Sequence, residues 1–341
     1  MNDREFVTFC YQRILGREPD VRGLHHYVVA LSDRALSRQQ LMLDFLESPE
    51  YQQRQGNPQP AAAAAPSAEF VPAGHYYSAI PSADDRQRAL ANSRAAPTEL
   101  PGIDLGIERQ WALLEDLRPL LESGGLTDEP AGGRRYGFTN PSFGPGDAIV
   151  LQALMRHFRP RRIVEVGSGH SSALMLDVDE FHLGRSVEFT FLEPYPDLLK
   201  SLMKPGDPSW AVRQQIVQEA DLEPFRGLGA NDILFIDSTH VLKAGSDVAR
   251  LLFEVLPVLA PGVVIHIHDM FWPFEYPSTW LDEGRAWNEA YALRAFLQYN
   301  RCFSMLLFAN CLVRRDRGWF ERHAPTLLRN VGGSLWLRRD A

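Results

Sequence analysis

"RRIVEVGSGHSSALMLD", residues 161–177, decides the fold. It reads as a buried strand, a glycine turn and a helix. Such a turn aims backbone N–H groups and a helix N-terminus at a ligand. The same strand-then-helix pattern returns in "VEFTFLEPYPDLLKSLM" (187–203). Two more strands, "NDILFIDSTH" (231–240) and "GVVIHIHDMF" (262–271), flank the helical "SDVARLLFEVLPVLAPG" (246–262). Strands alternating with helices predict an α/β fold, a doubly wound, Rossmann-like parallel sheet. "FSMLLFA" (303–309) and "SLWLRR" (334–339) are strand-like with no clear crossover helix between them, and suit an antiparallel pair closing the sheet edge.

The chain has 341 residues, 45% of them hydrophobic, enough for one full core and a small extra domain. Its formal charge of -8 gives no footprint for nucleic acid. Three cysteines without a C-x-x-C motif suggest neither a disulfide framework nor a thiolate zinc site. No run of about 18 apolar residues predicts a membrane span, and no signal peptide is recognised. These readings together predict a cytoplasmic protein.

Residues 1–55 read as three short helices of an all-α module. Phe6, Cys10 and Ile14 recur at helical spacing, Leu24, Tyr27, Val28 and Leu31 form a second stripe, and Ser37 with Gln40 signals a helix start. "GNPQPAAAAAPSAEFVP", residues 56–72, reads as a Pro/Ala linker. Residues 73–341 then hold the α/β domain. "YQRILGREPDVRGLHHYVVAL" and "FLESPEY" resemble a family of small helical modules of uncharacterised function, akin to phycobilisome linker segments. That resemblance implies docking or assembly with a protein partner. His25 and His26 diverge by about 100° on a helix and do not converge on one ion.

The second strand ends on Glu193, a carboxylate able to accept both ribose hydroxyls of a nucleoside. A dinucleotide fingerprint would place a third glycine where Ser172 stands, so a nucleoside without a pyrophosphate fits better. With these features residues 75–340 resemble the class I S-adenosylmethionine-dependent methyltransferases, whose sheet has seven strands, the last pair antiparallel. The resemblance implies that Glu165, Gly167, Ser168 and Gly169 line the methionine region and that Glu193 binds ribose. It implies that Asp221, in "EADL", contacts adenine. It also makes "YGFTNPSFGPGDA" (136–148) a cover for the cofactor, with Phe143 and Asp147 at the methionine end.

Asp237 and the pair His268-Asp269 end two neighbouring strands, so their side chains are expected in one cleft. They form a plausible ligand set for Mg²⁺ or another divalent ion. The resemblance extends to metal-dependent O-methyltransferases of the catechol type, with His268 standing where an acid is expected, a departure that leaves room for a softer ion or none. His240, three residues past Asp237, stands at that family's general-base offset. An imidazole with pKa near 6.5 can take a hydroxyl proton near neutrality.

Two stretches read as acceptor-binding material. One is "GHYYSAIPSADD" (74–85), with Tyr77. The other follows the fifth strand and carries Trp272, Tyr276 and Trp280 to stack on a sugar or ring, with Glu283, Arg285 and Asn288 to bind hydroxyls. A resemblance to polysaccharide- or metabolite-tailoring enzymes points to a small-molecule or saccharide acceptor. The competing readings are a nicotinamide-dependent oxidoreductase on the same sheet and a cofactor-binding assembly protein without turnover.

Overall fold

The computed structural model describes residues 3–32, 36–48, 50–51, 70–95, 97–121 and 124–340. The chain divides into two units, Met1–Phe70 and Val71–Ala341. Most of the expected linker lies outside the described residues.

The first unit carries helices Asp3–Cys10, Val21–Ser32 and Arg38–Glu47. The Ser37 side chain accepts from Gln40 N (3.1 Å), capping the third. Phe6, Val7, Cys10, Tyr11, Leu15, Leu31, Leu41 and Phe45 form a core of their own, with the Tyr11 ring edge-on to Phe45 at 4.8 Å. His25 and His26 are both exposed.

The second unit is built on one seven-stranded sheet. Its strands are β1 (Arg162–Val166), β2 (Glu188–Leu192), β3 (Val212–Arg213), β4 (Ile233–Ile236), β5 (Val264–Ile267), β6 (Phe303–Phe308) and β7 (Leu335–Arg339). Their order is β3-β2-β1-β4-β5-β7-β6. The first five pair in parallel, and β7 runs antiparallel to both β5 and β6. β4 is a continuous apolar run because both faces of the sheet are covered there. On β4, Ile233 and Phe235 join the core on one face, with Leu154, Leu174, Phe189 and Trp336. Leu234 and Ile236 join the core on the other, with Val164, Val255, Ile265 and Leu337.

The link between β6 and β7 differs from expectation. It holds helices Ala309–Arg315 and Arg317–His323 and a 3₁₀ turn, Pro325–Arg329. Their short, charge-interrupted sequence hides the apolar residues that seat them, of which Leu312, Trp319, Phe320 and Leu327 are buried. The antiparallel pairing of β6 and β7 stands.

Candidate functional site

The switch in strand order falls between β1 and β4, where open α/β sheets bind ligands at the carboxyl ends of their strands. β1 ends at Val166 and the chain turns at Gly167, whose φ of +80° favours glycine. A Cβ there would sit 2.0 Å from the Asp237 carbonyl oxygen, so the turn packs directly on the neighbouring strand end. Ser168 N and Tyr195 N donate to the two Glu193 oxygens at 2.9 and 2.7 Å. Each oxygen keeps a second lone pair for a ligand.

Glu165 departs from its expected place. It is fully buried beneath the turn, where it accepts from Ser171 Oγ (2.6 Å) and from Ser172 Oγ. Burial pushes its pKa up to about 7 against the pull of these hydroxyls. Ser172 Oγ also accepts from Gly169 N (3.0 Å). Glu165 therefore braces the glycine turn from inside, and Ser172 ties the turn to the helix that follows it, His170–Val178.

Asp237, just past β4, and Asp269, past β5, converge with His240. His240 Nε2 lies 3.5 Å from Asp237 Oδ1 and 3.4 Å from Asp269 Oδ2. Its Nδ1 lies 2.9 Å from Glu289 Oε2, and Trp287 packs on its ring at 4.4 Å. Burial opposes the imidazolium, but hydrogen bonds to Asp237 and Glu289 outweigh it and push the His240 pKa up to about 10. An unperturbed His240 poised near neutrality is thus corrected by its neighbours. Left-handed backbone at His240 (φ 62°) and Asp269 (φ 58°) turns both side chains inward.

Ligand atoms of Asp237, His240 and Asp269 all lie within 4.8 Å of one another. Two carboxylates and an imidazole suit a divalent cation softer than Mg²⁺ as well as Mg²⁺ itself. The converging set contains His240 in place of His268. His268 shares a face of β5 with His266, whose Nε2 lies 3.3 Å from His268 Nδ1. Burial opposes charge on His268, and Asp237, Asp147 and Asp269 together raise its pKa nonetheless.

A cavity of about 300 Å³ opens beside this group. Phe143, Asp147, His268, Asp269 and Trp280 line it, with Asn330, Gly332 and Gly333 from the approach to β7. Asp147 accepts from Ser334 Oγ (2.5 Å), and burial pushes its pKa up to about 6, moderated by His268 and Ser334.

Of the expected acceptor residues, Trp280 alone lines this cavity. Arg285 stacks over Trp280 and Trp287 at 4.5 and 4.9 Å and pairs with exposed Glu283 at 2.7 Å. Trp272 and Tyr276 are buried in the core, and the Tyr276 hydroxyl accepts from Ala290 N (3.0 Å). Asn288 clamps the Leu242 backbone, accepting at 2.6 Å and donating at 3.2 Å. Tyr77 is exposed and packs on Tyr76 at 4.3 Å. Asp221 is exposed and lines another cavity, beside Arg162 and Glu188 at the starts of β1 and β2. Sequence reasoning missed Glu289, Trp287 and the 330–334 wall. Only the wall left a signal, the Gly332-Gly333 pair before β7.

Residues 164–270 match the family profile described as a methyltransferase domain, and residues 1–55 match a domain of unknown function, DUF4214. An uncharacterized protein of Archaeoglobus fulgidus is 32% identical over 171 residues, which span 48% of this chain and 76% of that protein. Two solved structures are similar. One is the SAH-bound methyltransferase PaMTH1 of Podospora anserina, at 17% identity and a TM-score of 0.36, covering 57% of this chain and 78% of that one. The other is the O-methyltransferase TomG of Streptomyces achromogenes, at 14% identity and a TM-score of 0.35, covering 57% and 79%. Likenesses of that size add nothing to what the strand order shows. Residues 164–270 thus form a methyltransferase domain, and the strand order of the second unit is that of the class I S-adenosylmethionine-dependent methyltransferases. The N-terminal unit is a DUF4214 module. No helix among the described residues is long and apolar enough to cross a membrane.

Proposed function

We propose that the protein transfers the methyl group of S-adenosylmethionine to a hydroxyl of a small molecule or saccharide. The observation that carries this reading is the convergence of Asp237, His240 and Asp269, with Asp269 also lining the cavity. Gly167, Ser168 and Gly169 hold the cofactor's methionine portion, Glu193 its ribose, and Phe143 and Asp147 close over the methionine end. Trp280 offers a flat apolar face for a ring, beside polar groups suited to hydroxyls.

The three converging residues would hold a divalent cation, which when bound supplies Lewis acidity toward a hydroxyl. In the protein alone His240 keeps its proton at neutral pH and acts as a donor that orients Asp237 and Asp269. As a metal ligand it must be unprotonated. The imidazole that meets a hydroxyl in the cavity is His268. This chemistry and geometry favour His268 over His240 as proton acceptor. The N-terminal module is read as a docking piece for a protein partner.

The test follows labelled methyl from S-adenosylmethionine into a panel of sugars and phenolic diols, with and without chelator. Label is expected on oxygen, and Asp269→Ala should lower transfer by roughly 10²-fold or more. Label on nitrogen, or a protein that binds no S-adenosylhomocysteine, would end the reading. Full transfer after exhaustive chelation would remove the cation and leave Asp237 and Asp269 as orienting groups.

A further inference from the structure

β6 ends the strand order of the sheet, with β7 on one side only. An edge strand offers unpaired backbone groups to any chain that can reach them, so proteins cover such edges. A cavity of about 590 Å³ lies at the start of β6, with Ile103, Leu297, Phe303 and Met305 as its apolar floor. Phe303, Ser304 and Met305 all line it, so it opens along the strand's edge rather than over one face. It is remote from the candidate site. Phe303 pairs with Arg339, which bonds to Gly262 and Val263 at the start of β5, whereas Asp269 follows the end of that strand. Next to Asn300, which lines the cavity, stands Tyr299, 84% exposed and held in left-handed backbone at φ 57°. That conformation is rare for a bulky side chain, and such strain persists where a structure has a use for it. Tyr299 N donates to Gly102 O (2.7 Å), and the ring lies on Gly102, where a Cβ would come within 3.0 Å of it. The cavity rim carries both signs of charge. Arg301 is exposed and forms no ion pair among the described residues. Asp340 is exposed, accepts from Ser304 Oγ (3.1 Å) and has no cation partner among them.

We propose that two copies of this chain pair through this face about a two-fold axis: each copy's Tyr299 ring enters the other's cavity, and each Arg301 meets the other's Asp340. A two-fold interface uses one patch twice, so the patch must complement itself. This one does so in shape, with a projecting ring beside a hole. It does so in charge, with an unpaired cation and an unpaired anion on one rim. A different partner would need only one half of each pair. The ring and the apolar floor supply the contact, and the exposed rim charges set the register. Pairing also brings the β6 edges under cover and keeps the carboxyl ends of β1, β4 and β5 out of the interface.

The experiment is sedimentation equilibrium of the full chain between roughly 1 and 100 µM, for wild type, Tyr299→Gly, Arg301→Asp, Asp340→Arg and the double swap. Glycine suits the left-handed backbone at 299, and the other two positions are exposed, so the fold tolerates each change. Wild type should dimerise within that range. Tyr299→Gly should weaken the dimer roughly 30-fold or more, as loss of a buried aromatic anchor does. Each single swap sets like charges opposite one another and should weaken it roughly 10-fold or more. The double swap should restore most of that loss, because the two sites are coupled. A wild type that stays monomeric throughout overturns the proposal and leaves the cavity to another kind of partner. So does a dimer indifferent to Tyr299→Gly, which assembles through some other face. A double swap no tighter than either single swap overturns the two-fold arrangement.

Discussion

His240 faces Asp237, Asp269 and Glu289 at once. That crowding makes a pH signature. The His240 pKa is raised to about 10 in the folded protein, against about 6.5 when unfolded. The native state therefore holds the proton more tightly. Its stabilisation is fully present below about pH 6.5 and is lost as pH rises through the folded pKa. Asp147 and Glu165, raised by burial to about 6 and about 7, act with the same sign at lower pH and are largely spent by about pH 8. Melting temperature measured in chelator should therefore fall between pH 7.5 and 10. Glu289→Gln should flatten that slope by removing one of the charges that hold the proton. Parallel slopes for wild type and variant would show that Glu289 does not hold it. From the sequence alone His240 looked like a free base, because Glu289, 49 residues downstream, carried no visible link to it.

At the scale of elements, the glycine turn can be dissected. Gly167 has φ +80° and a Cβ path blocked at 2.0 Å by backbone. Gly167→Ala should cost more than about 1–3 kcal/mol, the usual range for a strained residue, since the clash adds to the strain. Gly169 is different: its φ is −176°, and a Cβ would meet only the tip of Leu198 at 3.2 Å. Gly169→Ala should leave the melting temperature nearly unchanged while weakening S-adenosylhomocysteine binding in calorimetry. Wild-type affinity in a folded Gly169→Ala variant would mean that no ligand approaches there. The strands themselves were legible, because β4 is an apolar run and the chain just past β4 and β5 carries an acid. The two left-handed residues, His240 and Asp269, were not, since neither is glycine and the sign of φ leaves no mark on such residue types. Nor was the bond from Ser334 to Asp147, which spans 187 residues and depends on how the final strands close.

At the scale of the whole chain, each of the two units has its own buried core. A chain beginning at Val71 should fold cooperatively and bind S-adenosylhomocysteine with the affinity of the full protein. An insoluble or non-binding product would show that the DUF4214 module is needed by the catalytic unit itself. The contact of Gly167 with the Asp237 carbonyl reaches further. On the function proposed above, the loop that would receive the cofactor packs directly on the strand end that would hold a cation. Occupancy of either one would then bear on the other, and the two binding events would be linked in free energy. By reciprocity, whatever factor a bound cation adds to cofactor affinity, bound cofactor must add to cation affinity. Titrations run in either order would then trace the same cooperative square.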